Sequence, residues 1–209
     1  VKEFDDVLLV VDTVSSFSAV EIPTDEIGVD VLLAGVQKAM ALPPGLSVFV
    51  VSERALARAE TTGDRGYYFD FLEFEKNHQK NNTPSTPSIS LLYALDSMVS
   101  SIIDEGLEAR FRRHSETNAL VHGWVEENGF ELFAPEGFRS KTLTAVENNR
   151  EIDVPGFIKA VRDRHNLLIN GGYGKIKGKT FRISNMGNET ISTIKELLEA
   201  LNAVLPEFT

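Results

Sequence analysis

The sequence predicts an α/β fold with two parts, a first domain built on a mostly parallel sheet and a small α+β domain after it. Three runs rich in apolar and β-branched residues lie within roughly the first fifty residues, as expected for strands buried on both faces. A long stretch of helical periodicity follows, and the last part of the chain has the pattern β-β-α-β-β-α. We therefore place the domains at residues 1–105 and 106–209.

The first domain takes its predicted strands from the apolar runs at 7–11, 29–33 and 47–51. A helix over 52–59 should begin at Ser52, because serine is a favoured N-cap. The polar stretch 61–82 is expected to be irregular. The two prolines of 83–87 predict a stiff turn, because each one restricts the residue before it to extended geometry.

Helical periodicity runs from Ser88 to about Asn128, with apolar residues at spacings of three and four. Gly106 is expected to break or kink this helix, and the Asn-Gly pair at 128–129 to end it. The small domain has predicted strands over 130–134, 141–146, 167–170 and 180–184, and predicted helices that begin at Asp153 and span 189–205. This order predicts a sheet covered by helices on one side.

Composition narrows the function classes. The formal net charge of -10 argues against nucleic acid or an anionic membrane as a partner, because both attract a basic face. The absence of cysteine excludes disulfides and thiolate metal sites, and the four histidines show no ligand spacing, so we expect no metal site. No apolar run reaches the length of a membrane span, and we expect a cytoplasmic protein.

Lys38 follows the second apolar run, just before the Pro-Pro-Gly turn at 43–45. A lysine that is desolvated there loses its proton more readily, and a neutral amine is what a Schiff-base catalyst needs. Asp12 follows the first run. If the two strands are parallel neighbours, the amine and the carboxylate meet at one edge of the sheet. Pyridoxal phosphate uses this pair, a lysine for its aldehyde and a carboxylate for its ring nitrogen.

Each of these residues also has a plainer interpretation. Asp12 can be only a cap for the next helix, and Lys38 only a solvated loop residue. Arg182 interrupts an apolar strand, where its planar guanidinium suits a carboxylate bidentately, but it can equally face solvent or an internal ion pair. The order and spacing of the motifs favour the functional interpretation more than any one residue does.

Seven motifs occur in a fixed order: VVDTVSS at 10–16, GVD at 28–30, GVQKA at 35–39, PPGLS at 43–47, TPSTP at 83–87, GGYG at 171–174 and KTFRISNMG at 179–187. Together they resemble the class V aminotransferases, which are fold-type I pyridoxal phosphate enzymes. The alanine–glyoxylate and serine–pyruvate branch is the most similar. The resemblance implies that the chain is the C-terminal half of the fold-type I large domain followed by the small domain.

The resemblance also implies roles for individual residues. Lys38 would form the Schiff base with pyridoxal phosphate, and Asp12 would pair with the ring nitrogen. Val14 would pack on one face of the ring, and Gln37 would bond the cofactor phosphate. Arg182 would bind the substrate carboxylate. The chain departs from the family at two positions: it has Val36 where serine is frequent, and Asn185 where other residues are frequent. Both departures concern the choice of substrate more than the cofactor.

The family further implies a homodimer with shared active sites. A hydroxyl of the Thr-Pro turn would reach the phosphate of the neighbouring subunit, and Thr83, Ser85 and Thr86 are equal candidates. The implied reaction moves an amino group from alanine or serine to glyoxylate or pyruvate. Phosphoserine or aspartate transamination on the same fold is one alternative. A non-catalytic structural or dimerising module is another.

The chain begins at Val1 and enters its first predicted strand within a few residues. Family members carry a long N-terminal portion before this point, which supplies a stacking aromatic ring, a glycine-rich phosphate loop and half of the sheet. We therefore expect an N-terminally truncated chain that is inactive alone, with a complementary N-terminal piece as a partner. Such a sheet would expose an unpaired edge and a broad apolar face.

Overall fold

The computed structural model of the protein describes residue 4 and residues 6–208. Val1, the first residue of the chain and the basis of the expected truncation, lies outside the described residues. The described chain divides into two compact units. The first unit contains the residues up to Phe17 together with Glu21–Asp104, and the second contains Ser18–Val20 and the residues from Glu105 onward.

The sheet of the first unit has the order β1-β2-β3, where β1 is Val10–Asp12, β2 is Val31–Gly35 and β3 is Ser47–Val51. β1 is parallel to β2, but β3 is antiparallel to it. The predicted α/β class is confirmed, while the described sheet is mixed rather than mostly parallel. The cause is the connection from β2 to β3, which contains no crossover helix and therefore returns the chain in the opposite direction.

β1 differs most from its prediction. It begins at Val10 rather than at residue 7, and it is not buried on both faces, because the side chain of Val10 is 57% exposed. β1 lies at the edge of the described sheet, whereas β2 lies in the middle and is almost entirely buried. Edge position therefore explains the exposure of an apolar strand that the pattern assigns to the interior.

The helices of the first unit are α1 at Thr24–Ile27, α2 at Glu53–Thr61, α3 at Phe71–His78 and α4 at Ile89–Glu105. The cap of α2 is confirmed, because the Ser52 hydroxyl accepts a hydrogen bond from the Ala55 amide at 3.1 Å. The irregular structure predicted for 61–82 is wrong over α3. Asp70 caps this helix, and Phe74 packs edge-on against Phe49, with 5.0 Å between the ring centroids.

The second unit has the predicted order of helices and strands. Its elements are α5 at Leu107–Glu127, β4 at Glu131–Leu132, β5 at Leu143–Glu147, α6 at Val154–His165, β6 at Asn170–Gly171, β7 at Thr180–Ser184 and α7 at Ile191–Val204. The break at Gly106 is confirmed, since this glycine has φ 82° between α4 and α5. The sheet order is β4-β5-β7-β6, and every pairing in it is antiparallel.

The core of the second unit lies between this sheet and its helices. Phe157 of α6, Phe181 of β7 and Leu201 of α7 are completely buried in one hydrophobic cluster. Side chains alternate along β7, so that Phe181 and Ile183 enter the core while Arg182 between them remains half-buried. The strand thus fixes its arginine on the face opposite the core. Within the described ranges, no helix combines the length and apolarity that a membrane span requires.

Candidate active site

The carboxyl ends of β1 and β2 lie at the same edge of the sheet, because the two strands are parallel. Asp12 ends β1 opposite Leu33 of β2. The next residue, Thr13, is 2% exposed, and both its amide and its hydroxyl donate to the Leu33 carbonyl at 2.8 Å. Thr13 has no role in the sequence-based prediction, yet it ties the loop after Asp12 to the strand that leads to Lys38.

Asp12 caps the turn that follows it. One carboxylate oxygen, Oδ1, accepts a hydrogen bond from the Val14 amide at 2.9 Å. The plainer interpretation of Asp12 as a helix cap is therefore wrong about the element, since a turn and not a helix follows, although this oxygen does cap the backbone. The side chain is exposed, and within the described residues its Oδ2 has no hydrogen-bond partner. This second oxygen can accept from a protonated ring nitrogen while the cap stays in place.

Lys38 lies in a tight loop that three buried side chains anchor. Val36, Ala39 and Met40 are buried, with exposures of 0%, 1% and 3%. The Lys38 carbonyl accepts from the amide of Ala41 at 2.9 Å, which closes the turn. The Lys38 side chain is half-buried, not fully buried as the desolvation argument requires, and its amine makes no hydrogen bond or ion pair with any described residue. The amine is therefore available to a ligand.

Gln37 lies folded over Gly35. A Cβ atom placed on Gly35 would be 2.6 Å from Gln37 Oε1 and 3.0 Å from Nε2, so a larger residue there would displace the Gln37 amide. The exposed Gln37 amide lies beside the end of β2, on the same short segment as Lys38. A carboxylate, an amine and an amide beside the ends of two neighbouring strands fit the ring nitrogen, aldehyde and phosphate of pyridoxal phosphate.

The Thr-Pro turn lies before α4 in the first unit, and its three hydroxyl groups differ in their hydrogen bonds. The Thr83 hydroxyl donates to the Ser85 carbonyl at 2.7 Å, so it is already engaged within the turn. The hydroxyls of Ser85 and Thr86 are exposed and have no hydrogen-bond partner in the described part of the chain. The described hydrogen bonds do not connect any of the three residues to Lys38.

Arg182 lies in the second unit, opposite Ala145 of β5 and Asn170 of β6. Its Nε donates to the Gly171 carbonyl at 3.0 Å, and the ring of Tyr173 lies 5.0 Å from its guanidinium carbon. In the part of the chain that the structure describes, no carboxylate pairs with Arg182, so the internal ion pair that the sequence left open is not formed. Its terminal N–H groups remain available to an anion.

The two positions that depart from the family have structural roles. Val36 is completely buried at the start of the lysine loop, so it offers no polar contact beside Lys38. Asn185 is also completely buried, and its Nδ2 donates to the backbone carbonyls of His114 and Lys141. Asn185 thus connects the end of β7 to α5 and to the segment before β5.

Asp30 connects the N-terminal ends of β1 and β2, which lie away from Asp12 and Lys38. It is 4% exposed, and its carboxylate accepts from the Leu9 amide at 2.8 Å, the Ser52 hydroxyl at 2.9 Å and Arg54 Nε at 2.9 Å. The Arg54 hydrogen bond is the main reason that the pKa of Asp30 lies well below its usual range, although burial opposes the shift. One side chain thereby joins β1, β2 and the cap of α2. In the sequence, Asp30 lies inside the apolar run 29–33 and in the Gly-Val-Asp segment at 28–30, and neither pattern indicates these partners.

Residues 1–172 match the profile of the family described as aminotransferase class V. The chain belongs to that family. The resemblance that the motifs predict is therefore confirmed for most of the chain. The chain is also similar to individual aminotransferases, in sequence and in structure.

An uncharacterized aminotransferase of Methanocaldococcus jannaschii is 36% identical over 206 residues, which cover 98% of this chain and 52% of the relative. Serine–glyoxylate aminotransferase of Arabidopsis thaliana is 38% identical, with 87% of this chain and 46% of the relative covered. The crystal structure of alanine–glyoxylate aminotransferase from Nostoc sp. superposes with a TM-score of 0.88 at 30% identity, covering 95% of this chain and 54% of that one. The class V chain thus spans about half the length of the curated relatives it matches.

Proposed function

We propose that this class V chain carries the lysine half of a pyridoxal-phosphate-dependent aminotransferase active site, for transfer from alanine or serine to glyoxylate or pyruvate. The observation that carries the proposal is the convergence of the Asp12 and Lys38 loops at one edge of a parallel strand pair. The names of the relatives, serine–glyoxylate and alanine–glyoxylate aminotransferase, support small amino acids and glyoxylate as the substrates.

When bound, pyridoxal phosphate would supply an aldehyde that carries the amino group and a ring that accepts electrons. The free Oδ2 of Asp12 would keep a proton on the ring nitrogen, while Oδ1 keeps its bond to the Val14 amide. Val14 would pack against the ring, and the Gln37 amide would donate to the phosphate. The Lys38 amine would hold the cofactor and then carry the proton that moves at the substrate α-carbon.

Arg182 would bind the substrate carboxylate through its terminal N–H groups, since a planar guanidinium matches a carboxylate bidentately. Ser85 and Thr86 are favoured over Thr83 for the phosphate of a neighbouring subunit, because the Thr83 hydroxyl is bound within its own turn. We propose a homodimer on this basis, with each subunit supplying part of the other's phosphate site.

The Lys38 assignment is tested by covalent trapping. This chain, and any longer protein that contains it, is incubated with pyridoxal phosphate, reduced with borohydride and mapped by peptide mass spectrometry. We expect the label on Lys38, and its loss in Lys38→Ala. The matched control is Lys80→Ala, which removes an exposed lysine of the same unit and should leave the labelling unchanged. A label spread over many lysines, or one that persists in Lys38→Ala, contradicts the proposal.

The substrate pair is tested on unreduced protein that has been loaded with pyridoxal phosphate, with alanine, serine, aspartate and phosphoserine as amino donors and with glyoxylate and pyruvate as acceptors. We expect kcat/KM to be highest for alanine or serine with glyoxylate or pyruvate. A clear preference for aspartate or phosphoserine would support the transaminase reaction but show that the proposed amino donors are wrong.

A further inference from the structure

Tyr173 covers the guanidinium of Arg182 from an exposed position. Its ring centroid lies 5.0 Å from the guanidinium carbon, within the distance at which a cation is attracted to the face of an aromatic ring. The tyrosine is 71% exposed, so its ring is not held there by burial in the core. The Gly-Gly-Tyr-Gly segment belongs to the motifs of the family resemblance, but the sequence gives this tyrosine no role.

The backbone around Tyr173 fixes where the ring lies. The Gly172 amide donates to the Thr180 carbonyl at 2.8 Å, which holds the turn against the first residue of β7. A Cβ atom on Gly172 would collide with the Thr180 hydroxyl and the Ile176 carbonyl, so only glycine permits this close approach. Gly174 then takes φ 57° and begins a short 3₁₀ helix at Gly174–Ile176. The turn is therefore packed against the strand that carries Arg182.

The same turn contacts the arginine twice. The Gly171 carbonyl accepts from Nε at 3.0 Å, and the Tyr173 ring lies over the guanidinium carbon. Nε and the guanidinium carbon are thereby both held, while no described residue binds the terminal N–H groups. An arginine held in this way loses less side-chain entropy when it binds a carboxylate, because its position is set before the ligand arrives.

We propose that Tyr173 is a positioning residue of the carboxylate site, whose ring face holds the Arg182 guanidinium in the orientation that receives the substrate carboxylate. This inference rests on the proposed function, since it assumes that Arg182 binds that carboxylate. It assigns the effect to the ring face of Tyr173 and not to its hydroxyl.

A first experiment needs no enzymatic activity. The Arg182 Nε–H signal is observed by NMR in the ¹⁵N-labelled 209-residue chain, and it is identified by its absence in Arg182→Lys. We expect faster exchange of this proton with water in Tyr173→Leu, and native exchange in Tyr173→Phe. Phe138→Leu is the matched control, because it removes an 84% exposed ring from the same unit. Unchanged exchange in Tyr173→Leu overturns the proposal.

A second experiment uses the holoenzyme, after the covalent trapping on Lys38 has succeeded. We expect KM for the amino acid to rise about two- to fivefold in Tyr173→Leu, as loss of an exposed cation–π contact predicts, with kcat nearly unchanged. Tyr173→Phe and Phe138→Leu should both keep the native KM. A Tyr173→Phe variant as impaired as Tyr173→Leu would overturn the ring-face role, because the hydroxyl would then be responsible.

The two proposals fail in different ways. If Lys38 is not labelled and no transamination occurs, the proposed function fails, and the NMR experiment still decides whether Tyr173 holds Arg182. If labelling and transamination occur but KM does not change in Tyr173→Leu, the proposed function stands and the role of Tyr173 is wrong.

Discussion

At the scale of single residues, Glu105 is the side chain on which two arginines of the second unit converge. Arg113 Nε lies 2.6 Å from Oε1, and Arg110 Nη1 lies 3.0 Å from Oε2. Arg110 is only 1% exposed, so Glu105 supplies negative charge to a guanidinium that has left water. The hydrogen bond from Arg113, followed by that from Arg110, lowers the pKa of Glu105 to about 2, while burial acts in the opposite direction.

The Glu105→Gln variant should destabilise the second unit by about 2–3 kcal/mol at neutral pH, because it leaves buried positive charge uncompensated. The lowered pKa means that the unfolded chain binds a proton more readily than the folded one. The contribution of Glu105 is therefore complete above its ordinary pKa of 4.5 and is lost as the pH falls towards about 2. Urea unfolding at a series of pH values should reveal a stability difference that narrows over this range.

Glu199→Gln is the matched control for this measurement, because it neutralises an exposed glutamate on α7 of the same unit. It should change stability by only a few tenths of a kcal/mol. A difference between wild type and Glu105→Gln that stays constant with pH would contradict the role assigned to the carboxylate.

At the scale of secondary structure, one carboxylate connects three elements of the first unit. Asp30 accepts from the residue before β1, from the N-cap of α2 and from Arg54 within α2. These contacts lie at the end of the strand pair away from Lys38. They therefore set the relative position of β1 and β2, and with it the position of the Asp12 and Lys38 loops.

The Asp30→Asn variant should lower the stability of the first unit by about 2–4 kcal/mol, because an amide cannot accept all of these hydrogen bonds. Ser52→Ala should cost about 1 kcal/mol, since it removes only the cap and one bond to Asp30. Because the pKa of Asp30 is lowered, its contribution is complete above the ordinary value of 3.8 and fades only below it. Thermal unfolding of both variants at pH 7 checks the order, and equal losses would contradict it.

The elements that the sequence predicts best carry a local signal. Ser52 and Asp153 identify their helices because serine and aspartate cap helices through short-range hydrogen bonds. α3 has such a cap in Asp70, but its apolar contact is with Phe49, which is distant in the sequence. The exposure of β1 also depends on its neighbours in the sheet, which no pattern within the strand reveals.

At the scale of the whole molecule, α4 leaves several large apolar side chains exposed. Ile89, Tyr93 and Ile103 are 55%, 74% and 71% exposed, and Ile102 is the only buried residue in this helix. An apolar helix with so little burial is typical of a surface that another protein surface covers. This agrees with the homodimer proposed above.

Sedimentation velocity tests the dimer on this chain and on any longer protein that contains it. We expect a dimer, and a shift towards monomer in Tyr93→Glu, because a carboxylate in an apolar interface must be desolvated. Phe138→Glu is the control, since it places the same charge at an 84% exposed ring of the second unit. A native protein that stays monomeric at high concentration would contradict the dimer, and a dimer that Tyr93→Glu leaves intact would exclude α4.

The sequence predicts Asp12 and Lys38, which lie at or just after strand ends, and Arg182, which interrupts an apolar strand, because both patterns are visible in a single chain. It does not predict Thr13, Asp30 or Tyr173 as functional or positioning residues. Their roles depend on partners that folding brings close, such as the Leu33 carbonyl and the Arg182 guanidinium. Family motifs contain Tyr173 without indicating what it contacts.

Ser18–Val20 belongs to the second unit, although the chain on both sides of it belongs to the first. The Ser18 carbonyl accepts a hydrogen bond from Arg110 Nε at 3.0 Å, so this short segment takes part in the hydrogen bonding of the second unit. No single proteolytic cut or gene truncation therefore yields either unit intact. A recombinant piece starting at Glu105 would lack a backbone acceptor for a buried arginine, and its measured stability would underestimate that of the unit in the native chain.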